Sequence, residues 1–151
     1  MPNNKFSPFR GPGGFMSLLR IDILHSLQSK GKIASGQTAA QITIEGDDKT
    51  ARLEIPGYLQ TLESGRGPTS ANAVAGNPPM INRIKQWCQA KGIPDKAVWA
   101  IKKSIDKKGF KGTPGLLSEP LGDDNINLRL DQSLTEIADT LITQIADNIL
   151  P

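Results

Sequence analysis

Few side chains in this sequence are of the types that carry out catalysis. The chain has one histidine, His25, and one cysteine, Cys88. Such a pair forms a nucleophilic site when the imidazole accepts the thiol proton. Cys88, however, falls on the apolar side of a predicted helix, where a thiol usually acts as inert packing. We therefore expect no catalytic residues and predict that the protein is not an enzyme.

Two pairs of adjacent carboxylates, Asp47-Asp48 and Asp123-Asp124, are the best candidates for metal ligands. Neighbouring acidic residues in a turn usually point apart, and no loop pattern supplies the further oxygen ligands that Ca²⁺ needs. A single cysteine also excludes an internal disulfide and a cysteine-based metal site. We expect neither a metal nor any other cofactor, and no small-molecule substrate.

A glycine-rich stretch, "YLQTLESGRGPTS" at 58–70, resembles a phosphate-binding loop at first sight. Such a loop follows a strand and leads through a lysine into a helix, or lies in a strand–helix–strand unit with three spaced glycines. Here a helical turn precedes Gly65, the loop has no lysine, and Ser70 stands where the third glycine would be. The stretch is therefore expected to be an exposed turn or a contact loop, in which glycine lets the backbone approach a partner.

The elements that position these residues begin with a helix and a hairpin. Residues 15–29 carry apolar side chains at three- and four-residue spacing, which predicts a helix. Alternation of apolar and polar residues within 40–55 predicts a hairpin with one buried face. A short helical turn is expected to follow at 58–64.

Two lysine-bearing helices are predicted in the middle of the chain. Residues 80–91 form the first, and Gly92 is its expected end signal. Residues 95–108 form the second, with Asp95 as an N-cap candidate and Gly109 as its end.

A last helix is predicted over 131–149. Ser133 and Glu136 fit a capping box, in which each side chain bonds the other's backbone N–H. Apolar residues then recur at helical spacing up to Ile149.

These elements predict the α+β fold class: a small antiparallel sheet, made of hairpin 40–55 and a possible extra strand, packed by three to four helices. The length of 151 residues fits one domain, expected over 15–151. Residues 1–14 are rich in proline, glycine and asparagine and are expected to be a flexible arm rather than a signal peptide. No apolar run approaches the roughly 18 residues of a membrane span, so no membrane partner is expected.

Charge is unevenly distributed along the chain. Residues 79–111 carry nine basic and two acidic side chains, whereas 112–151 carry one basic and seven acidic. The basic segment could bind nucleic acid. Alternatively, the two segments could attract each other within the fold or between neighbouring subunits. The second interpretation is favoured.

The two central helices also have the outline of a helix–turn–helix. The second of them offers lysines but no Asn, Gln or Arg to read bases, so contact would be limited to the DNA backbone. Trp87 and Trp99 are expected to anchor the core, although Trp99 lies beside its helix's apolar stripe and exposure there is an alternative.

Taken in order, these parts resemble the small neck, tail-completion and minor tail proteins of tailed bacteriophages. The similarity extends over roughly 15–150 and rests on three stretches. "YLQTLESGRGP" resembles the family's tyrosine or leucine followed by Glu-x-Gly-x-x-Pro, and "INRIKQWCQAKGI" its Ile-x-x-Trp helix ending in Gly-Ile. "AVWAIKKSIDKKG" resembles its Ala-x-x-Ile repeat before a Gly/Pro-rich loop and a closing helix. The sequence departs from the pattern at 115–121, where the family often has Pro-Phe-Leu, and in its basic N-terminal arm.

The resemblance implies a non-enzymatic structural protein of the virion, located in the neck or tail and assembled in the cytoplasm of the bacterial host. Its expected partners are other copies of itself in a ring, the portal or connector, and tail proteins. Contact with packaged DNA is a further expectation. The alternative function is a basic protein that binds the DNA backbone through 79–111.

Subunits of a ring must bind the opposite surface of their neighbours, so charged residues in the two polarised segments and the glycine-rich turn are the interface candidates. Arg66 is expected to meet a carboxylate within the subunit or across the interface. The full candidate set is Glu63, Arg66, Lys102, Lys103, Lys107, Lys108, Asp123 and Asp124.

Overall fold

A computed structural model describes residues 11–33, 36–47 and 49–149. In chain order, the helices of this part are α1 (Gly11–Ser29), α2 (Gln37–Gln41), α3 (Tyr58–Ser64), α4 (Met80–Lys91), α5 (Val98–Lys108) and α6 (Asp123–Ile149), and a 3-10 turn spans Asp95–Ala97. The strands are β1 (Thr43–Gly46), β2 (Ala51–Glu54), β3 (Gly65–Arg66) and β4 (Phe110–Lys111). The expected α+β class is confirmed, the helical turn predicted at 58–64 is present as α3, and α2 is an additional short helix beside the four longer ones.

The predicted hairpin is present as the antiparallel pair β1 and β2. Ile44 lies opposite Leu53, so the apolar side chains share one face as their alternation requires. At the turn, Oδ1 of Asp47 accepts hydrogen bonds from the backbone N–H of Lys49 and of Thr50, at 2.9 and 2.8 Å. These bonds hold the pKa of Asp47 below its ordinary value. Asp47 therefore closes a turn, and Asp48 lies outside the described residues.

Gly65 and Arg66 of the glycine-rich stretch form an extra strand, whereas Gly67 and Pro68 after them are exposed, as expected. Strands β3 and β4 pair antiparallel, with Gly65 opposite Lys111, in a second sheet separate from the hairpin. Gly65 has φ +79°, and a side chain there would meet the backbone nitrogen of Gly112 at 2.5 Å. Position 65 requires glycine because the backbone around residues 110–112 lies too close to leave room for a side chain.

Helix α1 begins at Gly11, so the prediction of a flexible arm over 1–14 is wrong for residues 11–14. Residues 1–10 lie outside the described part. Pro12 is compatible with the first turn, where its missing N–H would have no partner within the helix. Gly13 and Gly14 are buried, and their low helix propensity is overridden by this tertiary environment.

Helix α6 begins eight residues earlier than predicted, at Asp123, and the expected capping box is therefore wrong. Ser133 lies inside the helix, 4% exposed. Its hydroxyl oxygen has no hydrogen-bond partner within the described structure. The helix begins instead with Asp123 and Asp124, whose negative charge suits the positive end of the helix dipole.

The ends of the central helices follow the sequence signals in part. Gly92 and Gly109 end α4 and α5 with φ of +69° and +72°, as predicted. Asp95 is not an N-cap: it opens the 3-10 turn before α5 and makes no capping hydrogen bond. Pro94 fixes the extended approach to this turn instead.

The buried side chains form two separate clusters. The larger cluster joins α1 to the hairpin, α3 and the loop before α6, through Ile23, Leu27, Ile42, Leu59 and Leu116. The smaller cluster lies between α4 and α5 and comprises Ile84, Cys88 and Val98, with partly buried neighbours. The α4–α5 helical hairpin thus has a small apolar core of its own.

Helix α6 is attached to α1 by polar contacts. Arg129 donates from Nη2 to Oδ1 of Asp22 at 2.6 Å and from Nε to Oδ2 at 2.8 Å. Asn125 donates to the same carboxylate at 2.9 Å. Burial alone would raise the pKa of Asp22, but these hydrogen bonds and the Arg129 charge hold it below its ordinary value.

Candidate functional site

The structure does not bring His25 and Cys88 together. His25 is exposed on α1, in a shallow groove shared with Asp22 and Asn125. Cys88 is completely buried between α4 and α5, where no substrate can reach the thiol. Among the described residues, no three histidine, cysteine or acidic side chains are grouped so as to hold a metal ion.

Glu63, a predicted interface residue, binds within its own subunit. Its carboxylate accepts hydrogen bonds from the backbone N–H of Gly115 and of Ser118, both at 3.1 Å, and from the Ser118 hydroxyl. Burial would raise the pKa of Glu63, but the hydrogen bonds from Ser118 and Gly115 lower it. The charge of Glu63 is thereby used to fix the loop before α6.

Arg66 reaches a carboxylate of its own subunit through a threonine. Its Nη2 donates to the Thr69 hydroxyl at 2.6 Å, and that hydroxyl donates to Oδ1 of Asp106 at 2.8 Å. Lys102, a second predicted interface residue, pairs with the other oxygen of Asp106. These bonds, first from Lys102 and then from Thr69, lower the pKa of Asp106. The network ties the strand β3 to helix α5.

Lys103, Lys107 and Lys108 remain exposed, and the described structure gives none of them a salt-bridge partner. Lys103 and Lys107 are one helical turn apart and therefore lie on the same side of α5. Further exposed basic residues of α4 and of the turn after it are Arg83, Lys85, Lys91 and Lys96. We call the exposed side of α5 with Lys103, Lys107 and Lys108 the basic face.

Both tryptophans are exposed, which corrects the expectation that Trp87 anchors the core and agrees with the alternative given for Trp99. Trp87 is 44% exposed and Trp99 is 68% exposed. Both are close to the turn that joins α4 to α5, and Trp99 precedes Lys103 by four residues on the same side of the helix. Exposed tryptophan among basic residues is typical of a binding surface.

Asp123 and Asp124 are exposed at the first turn of α6, and the rest of that helix carries a second surface. Apolar side chains along it are more than 40% exposed, from Leu128 through Leu130, Leu134, Leu141, Ile142 and Ile145 to Ile149. Residues 130–149 contain four acidic and no basic side chains. We call the exposed apolar side chains of residues 134–149 the apolar face of α6.

The described structure also contains an open groove between α1 and α6. It has a volume of about 510 Å³ and is lined by Leu18, Leu128, Arg129, Asp131, Gln132, Thr135 and Glu136. Oε2 of Glu136 is buried and has no hydrogen-bond partner in the described part of the chain. The groove is shallow and lacks a group of catalytic side chains.

The chain matches no protein-family model, and it matches neither a curated protein nor a solved structure. Within the described residues, no helix has the length and apolar character needed to cross a membrane.

The site is therefore a pair of surfaces, only partly foreseen from sequence. Of the predicted interface residues, Lys103, Lys107, Lys108, Asp123 and Asp124 are exposed, whereas Glu63, Arg66 and Lys102 are engaged internally. Sequence reasoning missed the exposure of Trp87 and of the apolar side of α6, and it gave the exposure of Trp99 only as an alternative. Residues with apolar periodicity are normally buried, and periodicity alone does not reveal whether the cover comes from the same chain.

Proposed function

We propose that this protein is a non-enzymatic structural subunit of a tailed-bacteriophage virion, part of the neck, head–tail connector or tail-completion ring that joins capsid and tail. Its partners are other copies of itself, portal or connector proteins and tail proteins. It assembles in the cytoplasm of the bacterial host. The order of sequence motifs suggests the family, and the exposed surfaces support an assembly role.

The observation that carries the proposal is the exposed apolar side of α6. Soluble monomers rarely display a continuous row of large apolar side chains, and such rows mark surfaces that another molecule covers. Since covering them removes apolar area from water, assembly is favoured by about 25 cal/mol per Å². A structural subunit provides a reason for this exposure that an isolated enzyme would lack.

Fractionation of a phage lysate tests the proposal. We expect the protein to sediment with complete particles and to remain with them after a high-salt wash, because apolar contacts are not screened by salt. Release of the protein into the soluble fraction, with none in washed particles, would contradict a structural role.

A second candidate function is binding of the DNA backbone through 79–111, favoured by the unpaired lysines of the basic face. Each phosphate contact releases counterions, so several contacts would give a slope of log affinity against log salt near −5 or steeper. Our proposal predicts a negligible slope for the purified protein on duplex DNA. A steep slope would favour the second function.

A further inference from the structure

We propose that residues 67–108 form an inserted unit that opens while the rest of the chain keeps its fold. The unit contains the loop before α4, the helices α4 and α5, and the turn between them. Opening means that the two helices separate and their apolar core becomes accessible to solvent. We call the other described residues the body. This inference concerns the subunit itself and does not rest on the proposed virion role.

The unit has an apolar core of its own. Ile84, Cys88 and Val98 are buried between α4 and α5, and the partly buried side chains packed on them come from these helices and the turn between them. The core of the body is made by side chains from residues 23–62 and 116–121. Among the described residues, the two clusters have no member in common. Each part therefore has a separate source of hydrophobic stabilisation.

The body is assembled from chain on both sides of the unit. Leu116, which follows the unit in sequence, packs with Leu27 and Leu59, which precede it. The Glu63 carboxylate likewise accepts a hydrogen bond from the backbone N–H of Ser118 at 3.1 Å. These contacts involve no residue of the unit, so they can persist when the unit opens.

The chain enters and leaves the unit at one narrow neck, the β3–β4 pair. Gly65 lies opposite Lys111 in this pair, so the two ends of the unit are adjacent. Beside the neck, the backbone N–H of Thr113 donates to the carbonyl of Leu62 at 2.9 Å and ties the neck to the body. Adjacent ends allow one folded segment to be inserted into another, and boundaries between such parts fall where few contacts cross.

Hydrogen bonds from long basic side chains link the unit to the body. Arg66 of the neck donates to the Thr69 hydroxyl at 2.6 Å, and Lys91 donates to the carbonyl of Ile33 at 3.5 Å. Water can replace these partners when the unit opens. The links therefore oppose opening less than continuous apolar packing would.

Opening of the unit should require less free energy than unfolding of the whole chain, because its core is the smaller one. The unit has 42 of the 151 residues, and so short a segment buries too little apolar surface to be more than marginally stable. Its cluster has three buried side chains, whereas the cluster of the body has five. Parts of one protein open separately when their free energies of opening differ in this way.

Cys88 provides the probe for the test. It is the single cysteine of the chain and is completely buried in the core of the unit, so a chromogenic disulfide reagent reacts with it only after opening. When closing is faster than this reaction, the labelling rate is proportional to the open population. The rate is measured on the natural full chain over a range of urea concentrations. Far-UV circular dichroism follows global unfolding in the same solutions.

We expect labelling at urea concentrations well below the global transition. The free energy of opening should fall with urea at roughly a third of the global slope, since this slope scales with the surface exposed and the unit has 42 of 151 residues. Hydrogen exchange of the full chain, measured by mass spectrometry, should show the amides of α4 and α5 exchanging together. They should exchange faster than the amides of residues 19–27 in α1.

Two matched substitutions separate the unit from the body. Ile84→Val and Ile42→Val each remove one carbon from a buried side chain, in the core of the unit and of the body respectively. Both changes are small enough for the chain to fold. Ile84→Val should raise the labelling rate without urea about threefold to tenfold. Ile42→Val should shift the global transition to lower urea and leave the labelling rate without urea unchanged.

Three results would overturn the inference. Labelling of Cys88 with the free energy and slope of global unfolding would show that the chain opens as one piece. Labelling that does not depend on urea would show local access to the thiol without separation of α4 from α5. Equal acceleration by Ile84→Val and Ile42→Val would show that the two cores unfold together.

Discussion

At the residue scale, two carboxylates join parts of the chain that are distant in sequence. Glu63 holds the loop at 115–118, and Asp22 holds α6 through Arg129 and Asn125. Both carboxyl groups accept several hydrogen bonds, which favour the ionised form and explain why their pKa values are lowered. Charges that would otherwise be available to partners thus serve to fix the position of α6 and of the loop before it.

Replacement of Asp22 by asparagine should destabilise the protein by roughly 1–2 kcal/mol at pH 7, since Arg129 loses a partly buried partner. The pKa of Asp22 is lower in the folded than in the unfolded state. Its contribution is therefore complete above the unfolded value of about 4 and is lost as pH falls through the folded value. Urea denaturation at pH 7 and pH 3 measures the free energy of unfolding of the natural and variant chains. The difference between the two free energies should be smaller at pH 3.

Asp95→Asn is the control for this prediction, because Asp95 is exposed and caps nothing. It should leave the free energy of unfolding nearly unchanged at both pH values. A variant of Asp22 as stable as the natural chain at pH 7 would show that its ion pair contributes nothing to holding α6.

At the element scale, α6 is a 27-residue helix whose first half contacts α1 through Asn125 and Arg129. Ser133 lies in the first half with a buried hydroxyl that has no partner among the described residues. A buried hydroxyl without a hydrogen bond costs free energy, and serine is a weaker helix former than alanine. The position is therefore poorly suited to serine in the isolated subunit.

Ser133→Ala should leave stability unchanged or raise it by about 0.5–1 kcal/mol. A capping serine would behave in the opposite way and lose about 1 kcal/mol on the same change. Ser26→Ala is the matched control. The Ser26 hydroxyl donates to the carbonyl of Leu116 at 2.9 Å, so its loss should destabilise the protein. Thermal unfolding gives the Tm of both variants relative to the natural chain. A lower Tm for Ser133→Ala would support the capping interpretation.

The fold was predictable where local signals agree with packing. The alternation in 40–55, the apolar spacing of α1 and the glycines after α4 and α5 each specify a local conformation that the tertiary structure retains. The starts of α1 and α6 were not predictable in the same way. Proline and glycine at 11–14 favour a loop locally, and Ser133 with Glu136 mimics a cap, yet burial against other elements extends both helices.

The basic face was predictable only in its charge. Lysines are solvated almost wherever they occur, so the exposure of Lys103 and Lys107 follows from residue type. Trp87 and Trp99 carry no such signal, since a tryptophan beside an apolar stripe fits a core and an interface equally well. Only the packing of Ile84, Cys88 and Val98 without them reveals that they are surface residues.

At the scale of the whole molecule, the chain separates opposite charges and exposes apolar residues in both regions. Residues 79–111 have a net charge of +7 and 112–151 a net charge of −6. Electrostatic attraction of this kind speeds encounter and orients subunits, whereas apolar burial supplies most of the affinity. This combination is consistent with the assembly role proposed above.

The central claim is that this protein is part of the joint between capsid and tail. Immunogold labelling of purified virions, imaged by electron microscopy with an antibody to this chain, tests it most directly. We predict that label is confined to the neck or tail of each particle. Purified virions that carry no label, while the same antibody detects the protein elsewhere in the lysate, would contradict the account.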